Sequence, residues 1–141
     1  MELTAKQINK YKDKSVSKLV QIAQTHFNAY IRKRDADLGR FLCISCHKWK
    51  PLSELQAGHY FPAGHYTALR FDEDNVNGQC RSDNYFKHGN QVGYRRGLIN
   101  KIGLERVEML EARANRSRSY KWSRLELISI IEQYKQKIKE L

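Results

Sequence analysis

The sequence predicts an α+β domain, mainly helical, in which N- and C-terminal helices flank a small core of short strands. Three observations carry that prediction. Apolar residues recur at three- and four-residue spacing near both ends of the chain, as on one face of a helix. Between about 41 and 84 the pattern breaks into short segments punctuated by Gly and Pro. That middle stretch has little apolar material for a core of its own, and it carries all three cysteines, Cys43, Cys46 and Cys80. A bound metal would hold such a segment together. A chain of 141 residues suits one domain, 1–141. Within it the pattern marks a basic helical arm (1–40), a metal-stapled core (41–90) and C-terminal helices (91–141).

Taken in order, the first helix is predicted from about Ser15 to Arg34. There Val16, Leu19, Val20, Ala23, Phe27, Tyr30 and Ile31 share a face, and the end, Arg32, Lys33 and Arg34, is basic. "FLC" at 41–43, "GHYF" at 58–61, "LRF" at 69–71 and "NVNGQC" at 75–80 are the candidate strands. Helical spacing returns over roughly 90–102 around Tyr94, Leu98 and Ile102, and again after Gly103 over 104–114 around Val107 and Leu110. The last helix, about 123–140, sets Leu125, Ile128, Ile131, Tyr134 and Ile138 along one stripe. Before it, "ARANRSRSYKW" (112–122) is rich in Arg and lacks acids, an exposed basic loop suited to backbone phosphate.

Lys plus Arg number 26 against 15 Asp plus Glu, a net charge of +11, and such a surplus in a small domain favours nucleic acid as partner. The charge is unevenly spread. Residues 1–50 carry 11 basic and 4 acidic side chains, residues 79–141 carry 14 and 7, and residues 51–78 carry 1 and 4. An acidic middle between basic flanks suits a divalent-metal site set between surfaces that grip phosphate. The opening "MELTAKQINKYKDK" turns polar at once, and no run reaches the ~18 apolar residues of a spanning helix. The expectation is a soluble, cytoplasmic protein with no membrane partner. An odd number of cysteines fits a disulfide framework poorly and points to a reducing compartment.

Cys43 and Cys46 form a Cys-x-x-Cys pair ("CISC"), and "CRSDN" (80–84) repeats the spacing with Asp83 in the fourth place. Tetrahedral zinc takes four ligands in two short-spaced pairs bracketing a loop. Cys43, Cys46, Cys80 and Asp83 are therefore the expected ligands of a structural Zn²⁺, with His47 and His88 as alternatives to Asp83. A redox-active dithiol and plain buried cysteines are the competing readings.

Between the two half-sites lies "LQAGHYFPAGHYTALRFDEDNVNGQC", with His59 and His65. A histidine of near-neutral pKa can take a proton from water, and phosphodiester hydrolysis needs such a base opposite a divalent cation. His59 in a strand-like turn, Asn75 before the next strand and Asn84 after the second half-site follow one another in order. At these residues the sequence resembles the HNH endonucleases, whose ββα-metal finger carries a His on its first strand, an Asn in the connecting loop and a His or Asn at the start of the helix. The blocks "CISC", "AGHY", "LRFDEDNVNGQC", "DNYFKHGN", "YRRGLINKIG" and "VEMLE", from about 41 to 111, look more closely like the phage recombination family NinG, also called Rap. The tail from "YKWSRLEL" resembles that family too, while the first 35 residues match mainly in being helical and basic.

The resemblance implies a zinc-bound ββα-metal (HNH, His-Me finger) core. It also implies a structure-selective DNA endonuclease of phage recombination, cutting branched DNA such as Holliday junctions or D-loops, similar in site to endonuclease VII-type resolvases. His59 would be the general base, Asn75 would hold its imidazole, and Asn84 would ligate a catalytic Mg²⁺ or Mn²⁺ at the start of a helix packed on the two strands. Gly58 stands where many such sites have an acidic ligand, so a second ligand is expected among Asp72, Glu73, Asp74, His88 and His65, with His65 favoured. The family normally has Cys at the place of Asp83. Arg81, Lys87 and Arg95 are expected beside the cut strand, and Arg116, Arg118 and Lys121 in the basic loop. Two nicks on opposed strands suggest a homodimer, for which the stripes of the first and last helices are either the interface or simply core. The competing function is a zinc-stabilised DNA-binding module without catalysis.

Overall fold

The computed structural model describes residues 2–141. Helix α1 (Ala5–Lys10) starts in a capping box on Thr4, and α2 (Val16–Asp35) is capped by Ser15, whose hydroxyl accepts from Lys18 N–H. The last helix, α5 (Arg124–Glu140), begins in a second capping box, Ser123 with Glu126. The stripes of α2 and α5 meet each other. Leu19 and Ala23 bury against Leu127, Ile128 and Ile131, and Phe27 and Tyr30 set their rings edge-on to Tyr134 at 4.8 and 5.2 Å. Of the two uses expected for the stripes, core and interface, the fold takes the first: Tyr11 and the buried face of α2 pack on α5 within one chain. Leu125, counted in the stripe, is half exposed.

Strands β1 (Ala36–Asp37), β2 (Arg40–Leu42) and β3 (Trp49–Pro51) form one antiparallel sheet. Strands β4 (Leu55–His59) and β5 (Val76–Cys80) form another, in register from Leu55↔Cys80 to His59↔Val76. Every residue of β5 is buried, with Val76 packed on Phe27 of α2. "LRF" is not a strand. Residues Thr67–Leu69 make a single 3₁₀ turn with Leu69 buried, because the Leu69 carbonyl is taken by the Asn75 side chain and the neighbouring N–H groups bond locally. The helix expected to begin near Asn84 is one π-type turn, Ser82–Phe86; continuous helix starts at Gln91 as α3 (Gln91–Ile102). Gly103, at φ +89, breaks the chain before α4 (Leu104–Arg116). Helices α3 and α4 bury Tyr94, Leu98, Val107 and Leu110 together with Ile44, Tyr60 and Leu69.

The acidic middle of the sequence ties the loop before β5 to the C-terminal helices. Asp72 pairs with Arg113 at 2.8 Å, Asp74 with Arg106, and Glu73 with Lys137 at 2.6 Å while accepting from Tyr134 Oη at 2.7 Å. Asp72, Glu73 and Asp74, three of the candidates for a second cation ligand, are each paired with a cationic side chain. Nor does Arg70 pair with them: its guanidinium reaches the Ala63 carbonyl. Arg34, read as part of a basic tip, instead bonds Asp35, the carbonyls of Glu73 and Val76, and Asn77. Lys101 joins the same network at 2.9 Å from Asp35 and 2.7 Å from Asn77. Among the described residues no helix is long and apolar enough to cross a membrane.

Candidate functional site

The loop between β2 and β3 carries Cys43 and Cys46, and Cys80 closes β5. His47 adopts φ +63, which turns the chain back so that Cys43 N–H bonds Lys48 O at 3.0 Å. Ile44 N–H bonds Gly78 O at 3.0 Å and so docks this loop on β5. Cys43, Cys46, Cys80 and Asp83 each present a ligand atom within 4.8 Å of all the others, and the Cys46 and Cys80 sulfurs are 4.0 Å apart. A tetrahedral site with Zn–S near about 2.3 Å sets ligand separations of about 3.8 Å, so the four donors fit a metal such as zinc. Cys43 Sγ also accepts from the N–H of Cys46 at 3.4 Å and of Cys80 at 3.2 Å. Burial alone would raise the Cys43 thiol, but Ser45 and these backbone donors outweigh it and hold the pKa below the ordinary thiol value. Cys80, buried beside the Cys43 sulfur, is pushed up to about 12.

Asp83 is the fourth member. Its carboxylate accepts from Ser45 Oγ at 2.7 Å and Asn90 Nδ2 at 2.8 Å, and these bonds hold it ionised against its burial. His47, the first alternative, donates from Nε2 to the Gly93 carbonyl at 2.8 Å; His88 is exposed at φ +49 outside the group. Gly93 and Gly97 let α3 lie directly on the cysteine loop, since a Cβ at either would overlap the carbonyl oxygen of Ser45 or Ile44. This signal was in the sequence as Gly-x-x-x-Gly in "GYRRG" and could have placed α3 on the loop.

His59 ends β4, and its Nε2 lies 3.1 Å from the Arg70 carbonyl. A carbonyl can only accept, so Nε2 carries the proton and Nδ1 keeps the lone pair. Burial holds the imidazole pKa below its ordinary 6.5. The side chain of Asn75 makes no hydrogen bond to His59. It is fully buried, accepts from Phe61 N–H at 2.8 Å and donates to the carbonyls of Phe61 at 3.0 Å and Leu69 at 3.1 Å. Asn75 thereby shapes the loop that brings the Arg70 carbonyl to His59, a positioning role one step removed from the contact expected.

Asn84 donates from Nδ2 to Gln56 Oε1 at 2.7 Å, near the opposite end of β4 from His59. No hydrogen bond joins Asn84, His59 and His65 among the described residues, and His65 is exposed. The place of the missing acid is filled. A Cβ on Gly58 would overlap Gln79 Oε1 and lie 2.9 Å from Gln79 Cβ. Among the described residues the one group of three or more Cys, His, Asp or Glu able to hold an ion is the cysteine cluster, and no second such group lies around Asn84.

The basic residues divide likewise. Arg81 and Lys87 are exposed on the turn around Asn84, with Lys87 3.7 Å from Asp83. Arg95 is bonded through two nitrogens to Glu111 at 2.9 and 3.0 Å. Arg116, Arg118 and Lys121 are exposed, and Arg118 lies over the Tyr66 ring at 4.7 Å.

Fold and cluster define a small, strongly basic α+β protein with a Cys₃Asp group that could hold a metal such as zinc at the junction of two antiparallel sheets. The chain belongs to the NinG family: the family model described as "Bacteriophage Lambda NinG protein" matches residues 1–141. It is 43% identical over 122 residues to "Protein ninG" of Escherichia phage 933W, a match covering 86% of this chain and 57% of that protein. To "Protein ninG" of Escherichia phage lambda it is 41% identical over 122 residues, 86% of this chain and 56% of the relative. For Salmonella phage P22 the identity is 40%, with 86% and 57% covered. The chain thus spans a little over half the length of these relatives. No solved structure matches it.

Proposed function

We propose that this chain is a divalent-metal-dependent DNA endonuclease that nicks branched recombination intermediates, with His59 as general base and a structural Zn²⁺ on Cys43, Cys46, Cys80 and Asp83. The observation that carries the reading is the state of His59: neutral, with Nε2–H committed to the Arg70 carbonyl and Nδ1 free of any protein partner among the described residues. Such a nitrogen is a base poised for a water proton at neutral pH. Water deprotonated by Nδ1 attacks phosphorus in line, the bond to the 3′ oxygen breaks, and the products carry 5′-phosphate and 3′-hydroxyl. A divalent cation arriving with the phosphodiester, with Asn84 Oδ1 as its protein donor, would supply charge neutralisation at the scissile phosphate. Arg81 and Lys87 flank Asn84 and hold the strand. The net charge of +11 supplies the attraction to DNA. Paired nicks on opposed strands call for two copies, meeting through a surface other than the stripes of α2 and α5.

The second reading is a zinc-stabilised DNA-binding module without catalysis, favoured by Gly58 in place of the acid and by the missing ligand set around Asn84. One experiment separates them: a labelled four-way junction and a matched linear duplex, with Mg²⁺ or Mn²⁺, offered to the protein and to His59→Ala. Junction-confined nicks that vanish in the variant while junction binding persists are the expected result. Junction binding without nicks under either cation, or nicks that survive His59→Ala, would overturn the catalytic assignment.

A further inference from the structure

A cleft of about 550 Å³ opens between the β2–β3 hairpin and α3. The pairing Leu42↔Trp49 puts Leu42, Trp49 and Arg40 on one face of the sheet. Leu42 and Trp49 line the cleft from this side, Gly97, Asn100 and Lys101 from the helix, and Arg34 and Asp35 from the end of α2. Its volume falls within the about 300–1,000 Å³ typical of small-ligand sites. Trp49 is 46% exposed and Leu42 51%. The Arg40 guanidinium lies over one face of the Trp49 ring, 4.2 Å from its centre, so a ligand would stack on the other face. From Leu38 to Ser53 the chain has no acid, while Arg40, Lys48 and Lys50 are basic. The two cations that line the cleft, Arg34 and Lys101, share a single carboxylate, Asp35, leaving one positive charge in excess.

A second, independent observation lies at the end of the same sheet. The turn between β1 and β2 consists of Leu38 at φ +50 and Gly39 at φ +81, closed by the pair Asp37↔Arg40. Two-residue turns of this shape favour Asn, Asp or Gly at their first position. Leucine opposes that backbone, and its side chain is 97% exposed. An apolar side chain held out against both local preferences suits insertion into an apolar medium, and apolar wedges that enter between stacked bases are one such use.

We propose that this face receives one unpaired nucleotide of DNA, with the base stacked on Trp49 and Leu38 filling the gap it leaves in the stack. An aromatic platform beside cationic groups is what an unstacked base and its phosphates need. The idea rests on the DNA-binding part of the function proposed above and adds the feature of branched DNA that would be recognised: the unstacked base.

The test uses the whole chain with two duplexes of one sequence, one of them carrying a single unpaired 2-aminopurine, in Ca²⁺ without Mg²⁺ or Mn²⁺ so that strands stay intact. Wild-type protein is expected to bind the bulged duplex more tightly and to quench its fluorescence. Trp49→Ala should weaken bulge binding by about tenfold, abolish quenching and leave the paired duplex unchanged, while Trp49→Phe keeps part of both signals. Leu38→Asn, a residue the turn prefers, should lower bulge affinity with an unchanged or raised thermal midpoint, which excludes misfolding as the cause. Equal affinity of wild type for both duplexes, equal loss on both in Trp49→Ala, or full displacement by an equivalent concentration of dAMP would each overturn the proposal. Failure of the endonuclease reading is distinguishable: it leaves bulge selectivity intact with no cutting, whereas failure of this site leaves cutting intact in Trp49→Ala.

Discussion

Gly58 and Gln79 make a pair whose energetics can be worked out before measurement. Any side chain at 58 displaces the Gln79 amide, because a Cβ there overlaps Oε1 and comes within 2.9 and 3.0 Å of Gln79 Cβ and Cδ. When the amide leaves, its Nε2 bonds to Ser45 Oγ at 2.9 Å and Gly89 O at 2.7 Å are lost. Two bonds at about 1 kcal/mol each plus overpacking of about 1–3 kcal/mol put Gly58→Ala at about 3–5 kcal/mol. Gln79→Ala loses the same two bonds but also removes Oε1, a buried oxygen with no partner among the described residues, and should cost about 1–2 kcal/mol. In the double variant the approaches to Oε1 and Cδ are gone while the 2.9 Å approach of the two Cβ atoms remains, so its cost should exceed that of Gln79→Ala by about 1 kcal/mol, a coupling of about 2–4 kcal/mol. Urea unfolding of the four proteins reads this directly: with a slope of about 2 kcal/mol/M, Gly58→Ala shifts the midpoint by about 1.5–2.5 M and the second substitution restores part of it. Additive costs would refute the claim that Gln79 occupies the space of the missing acid. The same cycle with Gly58→Asp asks whether the acid can be reinstated once Gln79 is shortened.

Two further outcomes follow from the site. Each chain should bind one zinc, released by chelator with a fall in thermal midpoint. Asp83→Ala, which also breaks two bonds to a charged acceptor worth about 1.5–3 kcal/mol each, should lose zinc more readily than wild type in a dye-displacement titration; equal retention would remove Asp83 from the ligand set. The depressed pKa of His59 makes the folded state bind fewer protons than the unfolded state between its folded value and 6.5. Stability therefore stands full above about pH 6.5 and declines as pH falls below it, and His59→Gln should flatten that part of the stability profile. In the endonuclease reading the acid limb of kcat/KM lies below 6.5, and a limb above it would contradict a buried neutral base.

The long helices were legible because their apolar spacing is dictated by the same core that buries it, as Phe27 on α2 and Tyr134 on α5 show. The cysteine group was legible for a different reason: two short-spaced half-sites have few other uses, and the structure brings them together with Asp83. What escaped was set by long-range pairing of polar groups. "LRF" has strand-like composition, but the amide of Asn75, six residues on, takes the Leu69 carbonyl and turns the segment into a 3₁₀ turn. The acids at 72–74 suggested a cation only because their partners, Arg106, Arg113 and Lys137, lie far along the chain. The hairpin strands β1 and β3, each of two or three residues, hold no period long enough to read.

One segment joins the two parts of the candidate site. In the turn Ser82–Phe86, Asp83 is directed to the cysteine group and Ser45, and the next residue, Asn84, to Gln56 on β4. The loop that follows is closed by Gly89 N–H on the Asp83 carbonyl at 2.9 Å and by Asn90, which bridges Asp83 to Ser45 O and caps α3 at Gly93. Asp83 is thus the anchor on which the position of Asn84, the presentation of Arg81 and Lys87, and the start of α3 all depend. A metal on the cysteine group would tighten that anchor and, through one peptide bond, fix Asn84 relative to β4, whereas His59 is held separately by Arg70 and Asn75. Loss of the metal should therefore disturb the Asn84 side of the site and spare the His59 side. Proton exchange at the His59 imidazole, followed by NMR with and without chelator, should remain slow while the amides of 82–90 become labile, and simultaneous loosening of both would show that the two halves depend on one another.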